Sequence, residues 1–181
     1  FYAAVTAALA AAAADPTVGA VVLTGEGGHF CAGGDLRQLA KRRELPVQER
    51  RAKLEGLHDL IRSVRDCPKP VIAAVCGYAY GGGCELAMLA DIIVAGEGAR
   101  FCQPEIRIGL IPGIGGPHRL VRAVGKVKAM RMALTGKPIS AHEAWVAGLV
   151  SDLVADNQVL PTAIELARMV AAMPPLAAAV A

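Results

Sequence analysis

The chain carries the run VIAAVCGYAYGGGCELAMLADIIVA at residues 71–95. Its two ends, residues 71–75 and 91–95, are apolar almost throughout, as are strands buried on both faces of a parallel sheet. Between them lie three consecutive glycines at 81–83 and a segment at 84–90 that predicts a short buried helix. A strand, a glycine turn, a helix and a second strand in this order indicate an α/β fold with a largely parallel sheet.

The flanking sequence continues the alternation of strands and helices. Apolar runs predict further strands at residues 20–24 and 149–154. Helical spacing, capping-box spacing from Ser140 to Glu143 and proline stops predict helices over residues 1–14, 48–65, 117–124, 126–134, 140 onward and 161–172. Glycine-rich loops are expected at 25–35 and 109–116.

Length and composition limit the possible classes of protein. A chain of 181 residues, 54% of them hydrophobic, is long enough for one domain with a sizeable core. Its net charge of +3 is too small to favour nucleic acid as the main ligand. The five cysteines are scattered and predict neither a disulfide framework nor a zinc site, but a reducing compartment. The apolar first fourteen residues lack a basic segment and are too short to span a bilayer, so we expect no signal peptide and no membrane contact.

Two glycine turns are candidates for binding a developing negative charge. The turn at 81–83 precedes a helix, whose first N–H groups have no partner within the helix and carry positive potential. A second turn, FCAGGD at 30–35, follows the first strand and would supply another N–H, from Gly34. Two such donors form an oxyanion hole. Taken alone, glycines are more typical of tight turns, and neither a dinucleotide fingerprint nor a P-loop is present.

Two glutamates are the candidate acid–base groups. Glu85 stands in the first turn of an apolar helix, where burial would raise its pKa and suit it to proton transfer. The alternatives are a capping role for Glu85 and a surface-loop position for Glu105. For Asp35, a helix cap or a loop salt bridge is favoured. For Cys84, next to Glu85, a small buried side chain is favoured over a nucleophile.

The order of these segments from Lys69 to Leu120 resembles the crotonase superfamily, and within it the enoyl-CoA hydratases. The resemblance rests on KPVIAAV at 69–75, GGGCEL at 81–86, QPE at 103–105, PGIGG at 112–116, FCAGGD at 30–35, LTG at 134–136 and AGLV at 147–150. It covers nearly the whole chain. Each glycine is a weak signal, but their combination in this order is specific.

The resemblance implies a fold and its division. We expect a spiral of β-β-α units with a mainly parallel sheet, in one domain over residues 1–181. Residues 1–120 would be the catalytic core, and residues 121–181 a helical part that contributes to trimer formation. We expect the family's N-terminal strand and C-terminal helices to be absent from this chain.

The resemblance also implies a reaction. Gly34 and Gly82 would donate N–H groups to a thioester oxygen, and Glu85 and Glu105 would add water across the C2=C3 bond of a 2-enoyl-CoA, giving a 3-hydroxyacyl-CoA. No metal or redox cofactor is implied, and coenzyme A is part of the substrate. The substrate-binding residues implied are Phe30, Cys31, Ala32, Gly33, Gly34, Asp35, Leu36, Gly81, Gly82, Pro112 and Gly113. Leu36 and Leu39 would wall the acyl pocket or simply pack the loop.

The implied partners are an acyl-CoA thioester and further copies of the chain, as a homotrimer or a dimer of trimers. Neither nucleic acid nor a membrane is expected, and the location would be cytoplasmic, or the mitochondrial matrix in a eukaryote. The alternatives are an isomerase, a ring-opening acyl-CoA hydrolase of aromatic degradation, and a non-catalytic scaffold. Isomerases of this superfamily tend to keep only the position matching Glu105, so glutamate at both positions favours a hydratase.

Overall fold

The computed structural model describes residues 1–42 and 44–180 of the chain. Arg43 and the last residue of the predicted domain, Ala181, lie outside the described residues. The strands are β1 Val21–Thr24, β2 Val71–Val75, β3 Tyr78–Tyr80, β4 Ile92–Gly96, β5 Arg100–Cys102, β6 Ile139–Ser140 and β7 Asp152–Val154. The helices are α1 Tyr2–Ala14, α2 Leu36–Arg42, α3 Val47–Arg65, α4 Gly82–Ala87, α5 Gly116–Thr135, α6 Ala141–Val146, α7 Val159–Ala171 and α8 Pro175–Val180. Short 3-10 helices span Glu105–Ile108 and Asp156–Gln158.

The strands form two sheets. The larger is parallel, with the order β1-β2-β4-β7, and the smaller has the order β3-β5-β6 with only β6 antiparallel. Cys31 adds a single parallel bridge to Ala79 of β3. The chain therefore passes from one sheet to the other and into a helix, as in β2, β3 and α4. The predicted spiral of β-β-α units with a mainly parallel sheet is confirmed.

The strand β2 lies at the centre of the core. All five of its residues are buried, and their side chains alternate between two apolar clusters. Val71, Ala73 and Val75 belong to the larger cluster. Ile72 and Ala74 belong to the smaller one, which includes Val159 and Ala163 of α7. Burial on both faces explains why this segment is apolar without interruption.

The predicted elements are found with shifted bounds. The capping box at Ser140 is present, because Ser140 Oγ accepts the N–H of Glu143 and the N–H of Ser140 donates to the Glu143 carboxylate. The predicted break between two helices near residue 125 is also present, as a non-helical Gly125 inside α5. The sequence did not predict α2, α8 or the short strands β3, β5 and β6. Across the described ranges, no helix is both long enough and apolar enough to cross a bilayer.

Candidate active site

The two predicted glycine turns lie against each other, because Cys31 forms a parallel bridge to Ala79 of β3. The N–H of Tyr80 donates to the carbonyl of Cys31 at 3.0 Å, and the N–H of Cys31 donates to the carbonyl of Tyr78 at 2.9 Å. A Cβ at Gly83 would overlap the Cys31 carbonyl oxygen, so only glycine allows this approach. These contacts hold the segment after β1 beside the start of α4.

Gly34 and Gly82 each present an N–H near this junction. Gly82 is the first residue of α4, so its N–H has no partner within the helix. No described residue accepts a hydrogen bond from the N–H of Gly34. Gly33, the neighbour of Gly34 in the chain, lies close to Gly82, since a Cβ placed at Gly33 would be 3.3 Å from the nitrogen of Gly82. Gly34 and Gly82 line the same cavity, which has a volume of about 390 Å³.

Glu85 is buried directly behind this turn. Its side chain is 2% exposed, and its Oε1 accepts the N–H groups of Ile114 at 2.8 Å and Gly116 at 2.7 Å. Burial raises the pKa of Glu85, while the backbone N–H groups and the positive charge of Arg119 act in the opposite direction. Glu85 therefore binds the backbone at the start of α5, and the N–H groups of Ile114 and Gly116 stabilise its charged carboxylate.

Glu105 reaches the same turn from the end of β5, the strand that pairs with β3 in the smaller sheet. It begins the 3-10 helix that follows β5, and its side chain is half-buried. A Cβ at Gly81 would lie 3.0 Å from Glu105 Oε1. Glu105 Oε2 is buried and has no hydrogen-bond partner among the described residues. Burial raises the pKa of Glu105, and the negative charge of Glu85 raises it further. Two carboxyl groups from different elements thus meet at one glycine turn.

The predicted site residues fall into two groups. Those that line the cavity are Cys31, Gly33, Gly34, Asp35 and Gly82, and those that do not are Phe30, Ala32, Leu36, Gly81, Glu85, Glu105, Pro112 and Gly113. Phe30 is buried in the larger apolar cluster, whereas Ala32 and Leu36 are exposed. Asp35 Oδ1 accepts the N–H of Arg37 at 2.9 Å, which is the helix-cap arrangement weighed from the sequence.

Most of the apolar residues that line the cavity were not predicted from the sequence. Tyr2 of α1, Leu60 of α3, Leu86 of α4 and Leu89 also line the cavity. Leu86 and Leu89 follow Gly82 at helical spacing, a signal that was available in the sequence. Tyr2 and Leu60 carried no such signal, because only tertiary packing brings α1 and α3 to this place.

Two further polar groups lie close to Glu85. Cys84 is fully buried, and burial raises the pKa of its thiol to about 12, so the small-side-chain reading holds and a thiolate nucleophile is excluded at neutral pH. Gln103 is also buried, and neither of its side-chain amide atoms has a partner among the described residues. Within those residues, no group of three or more His, Cys, Asp and Glu side chains is arranged to hold a metal ion.

Comparison with known proteins gives consistent matches along the whole chain. The sequence model of a family described as enoyl-CoA hydratase/isomerase matches residues 1–181. A mitochondrial enoyl-CoA hydratase of Pongo abelii is 49% identical over 168 residues, which are 92% of this chain and 56% of that protein. A 2,3-dehydroadipyl-CoA hydratase of Escherichia coli K12 is 45% identical over 170 residues, which are 93% of this chain and 64% of that protein.

A solved structure matches equally well. The crystal structure of an enoyl-CoA hydratase from Polaromonas sp. JS666 superposes with a TM-score of 0.92 at 42% identity, over 99% of this chain and 70% of that one. The chain spans between half and two thirds of the length of the two curated relatives named above.

Proposed function

Because the chain belongs to the enoyl-CoA hydratase/isomerase family, within the crotonase superfamily, we propose that this protein adds water reversibly across the C2=C3 bond of a 2-enoyl-CoA. The product is a 3-hydroxyacyl-CoA. The observation that carries the proposal is the meeting of Glu85 and Glu105, both with raised pKa, beside the turn that contains Gly82. Hydration needs one group that takes a proton from water and one that gives a proton to C2, and this pair supplies both.

The thioester oxygen binds at the N–H groups of Gly34 and Gly82. Attack of water at C3 moves negative charge onto this oxygen, which becomes an enolate. Donors that are already in place stabilise that charge without reorganisation, and losing one such donor typically costs about 3–4 kcal/mol of barrier. The start of α4 adds the positive end of a helix dipole at the same point.

The two carboxyl groups have different surroundings, and we assign the base role and the acid role from this difference. Two backbone N–H groups stabilise the charged form of Glu85, so Glu85 is the base that activates water. Glu105 Oε2 has no partner, and the charge of Glu85 raises the pKa of Glu105, so Glu105 holds the proton that is delivered to C2. No metal or redox cofactor takes part in this proposal, and coenzyme A enters with the substrate.

Loss of enoyl-thioester ultraviolet absorbance tests the proposal. The full-length protein is mixed with crotonyl-CoA beside the variants Glu85→Gln and Glu105→Gln. We expect rapid loss for the parent protein and rates about 10²–10⁴-fold lower for each variant, the usual contribution of general acid–base catalysis. Glu97→Gln, at an exposed glutamate between β4 and β5, is the matched control and keeps the parent rate.

Two results of this experiment would contradict the proposal. If Glu105→Gln hydrates at the parent rate while its circular dichroism is unchanged, the acid role assigned to Glu105 is wrong. If the parent protein does not hydrate 2-enoyl thioesters but interconverts 2- and 3-enoyl thioesters, the isomerase alternative replaces hydration.

We further propose that the protein assembles as a homotrimer or a dimer of trimers. The support is the number of large apolar side chains that α5 and α6 leave exposed, among them Val127, Leu134 and Val146. Relatives of the chain include mitochondrial and bacterial proteins. We propose that the reaction takes place in the bacterial cytoplasm or, in a eukaryote, in the mitochondrial matrix.

A further inference from the structure

Arg119 stands near the start of α5, beside the loop that binds Glu85. Its Nη1 donates to the carbonyl oxygen of Ile114 at 2.8 Å. The N–H of the same Ile114 donates to Glu85 Oε1, also at 2.8 Å. Both backbone polar groups of Ile114 are therefore bound, its carbonyl by the guanidinium of Arg119 and its N–H by the carboxylate of Glu85.

The backbone next to Ile114 fits closely around the guanidinium. Gly115 has φ 87°, a conformation that favours glycine, and a Cβ at this position would overlap Arg119 Nη1. The N–H of Arg119 donates to the carbonyl of Gly115 at 3.1 Å. The loop and Arg119 thus hold each other in place, and a side chain at residue 115 would displace the guanidinium.

The guanidinium lies on the side of this loop away from the proposed reaction. Arg119 is not among the described residues that line the cavity beside the glycine turns, whereas Ile114 is. Arg119 lines a second cavity of about 240 Å³, which Asp91 also lines. An effect of Arg119 on hydration therefore has to act through Ile114 and Glu85, or through the electric field of its charge.

The charge of Arg119 does act on Glu85. Among the described residues the two side chains form no direct ion pair. Burial raises the pKa of Glu85, and the guanidinium, like the backbone N–H groups, opposes this rise. The other ionisable groups around the two side chains are Glu105, the buried thiol of Cys84, and Asp91 in the second cavity. Arginine stays charged at any pH at which a protein is folded, so its effect on Glu85 is constant.

Resting on the proposed function, which makes Glu85 the base, we propose that Arg119 is a positioning residue for hydration, which fixes the loop at Ile114 and keeps the Glu85 carboxylate charged and in place. A base has to be charged to accept a proton from water, so a constant positive charge nearby extends its action to lower pH. Lysine at this position would keep the charge but lose the rigid fork of donors. Substitution can therefore separate the charge of Arg119 from its geometry.

Hydration of crotonyl-CoA by the full-length protein, followed over a range of pH, tests the proposal. Arg119→Met keeps the length of the side chain and removes its charge and its donors. We expect kcat to fall about 10–100-fold with KM within about twofold of the parent value, because the loss is one of position. The acid limb of kcat/KM moves to higher pH, because Glu85 loses a cationic neighbour.

Two further variants separate charge from packing. Arg119→Lys keeps the acid limb of the parent protein and recovers part of kcat, since only the charge is restored. Arg122→Met removes an exposed arginine of the same helix and is the matched control for net charge. It keeps both the rate and the pH profile of the parent protein.

Carbon NMR of protein labelled at the glutamate side-chain carboxyl follows Glu85 without turnover. The Glu85 signal is assigned by its loss in Glu85→Gln. We expect the midpoint of its titration to be higher in Arg119→Met than in the parent protein, and unchanged in Arg119→Lys and Arg122→Met. Glu85 and Glu105 titrate as a coupled pair, so the difference between variants is the quantity compared.

The results distinguish this role from a purely structural one and from the proposed reaction. A parent-like kcat in Arg119→Met, or a lower kcat with the parent acid limb, would overturn the proposal, as would an equal shift in Arg122→Met. If Arg119→Met does not fold, Arg119→Gln, which removes the charge but keeps a donor, is judged by the same criteria. The expected shift in the Glu85 titration without any hydration of enoyl thioesters would support the link from Arg119 to Glu85 and refute the reaction.

Discussion

Glu105 is the residue at which the chemistry of the site most directly opposes the stability of the fold. Burial holds its pKa above the usual range, the charge of Glu85 adds to the rise, and Oε2 is unpartnered. A carboxyl group whose pKa is higher in the folded than in the unfolded chain binds its proton more tightly when folded. Its favourable contribution is fully present below the unfolded pKa and is lost as pH rises through the folded pKa.

This gives a prediction about stability and pH. Glu105→Gln keeps the size of the side chain and removes the titration. We expect the free energy of unfolding of the variant, relative to the parent protein, to increase as pH rises from the ordinary range of glutamate through the raised pKa, and to level off above it. Urea unfolding at a series of pH values measures the difference. Glu97→Gln serves as the exposed control, and a flat difference for Glu105→Gln would contradict the prediction.

Gly83 shows how one missing side chain holds the two turns together. A methyl group at this position overlaps the Cys31 carbonyl oxygen. We expect Gly83→Ala to lower the free energy of unfolding by about 1–3 kcal/mol, the usual cost of overpacking. It should also lower the hydration rate, since the start of α4 must move away from Gly34. Thermal unfolding and the absorbance assay check the two effects, and a variant with parent values in both would show that the approach is not needed.

The residues of the proposed site were partly predictable. Glycines and glutamates stand out in an apolar sequence, and their order along the chain carries the resemblance, so Glu85, Glu105, Gly34 and Gly82 could be selected. Gln103 could not, although it lies between β5 and Glu105 in the chain. A buried amide without partners has no signature in the sequence. Leu60 looked like any other leucine on the buried face of a helix.

Among the helices and strands, the long ones were predicted from the sequence and most of the short ones were not. The strand β2 and the helix α3 repeat a pattern often enough to be recognised. The strands β3 and β5 have three residues each, too few for any period to show. The helix α2 follows a glycine-rich loop directly, and its start was not recognised because glycine is typical of loops. Local pattern therefore predicts long elements, whereas short strands are specified by the neighbours with which they pair.

We expect replacement of glycine by alanine to have opposite effects on the free energy of unfolding at two helical positions, Gly125 and Gly56. Gly125 divides α5 with φ 76° and ψ 159°, a conformation almost confined to glycine. Gly56 is helical within α3, and a Cβ there meets no atom within 4 Å. We expect Gly125→Ala to lower the free energy of unfolding by about 1–3 kcal/mol and Gly56→Ala to raise it by about 0.5–1 kcal/mol.

Chemical denaturation of the two variants side by side measures both changes. A Cβ at Gly125 also meets no atom within 4 Å, so the difference isolates the backbone. If both variants shift stability in the same direction, the break in α5 is not specified by Gly125.

At the scale of the whole molecule, α5 has an apolar surface that the described residues leave uncovered. Val127, Met130 and Leu134 recur at helical spacing and remain exposed, Val127 to 85% and Leu134 to 61%. Arg131, between them, reaches Glu143 of α6 at 3.8 Å. An exposed apolar stripe of this kind usually marks a contact with another chain or segment.

If the protein assembles as proposed, charged substitutions in this stripe should dissociate the oligomer. We expect the full-length protein to sediment as a trimer or a dimer of trimers, and Val127→Lys combined with Leu134→Lys to shift it to smaller species, because burying two unpaired charges opposes association. Val47→Lys is the control: Val47 is 67% exposed near the start of α3, away from the stripe, and its replacement should leave the sedimentation coefficient unchanged. A parent protein that sediments as a monomer would refute the assembly, and an unchanged oligomer in the double variant would place the contact elsewhere on the surface.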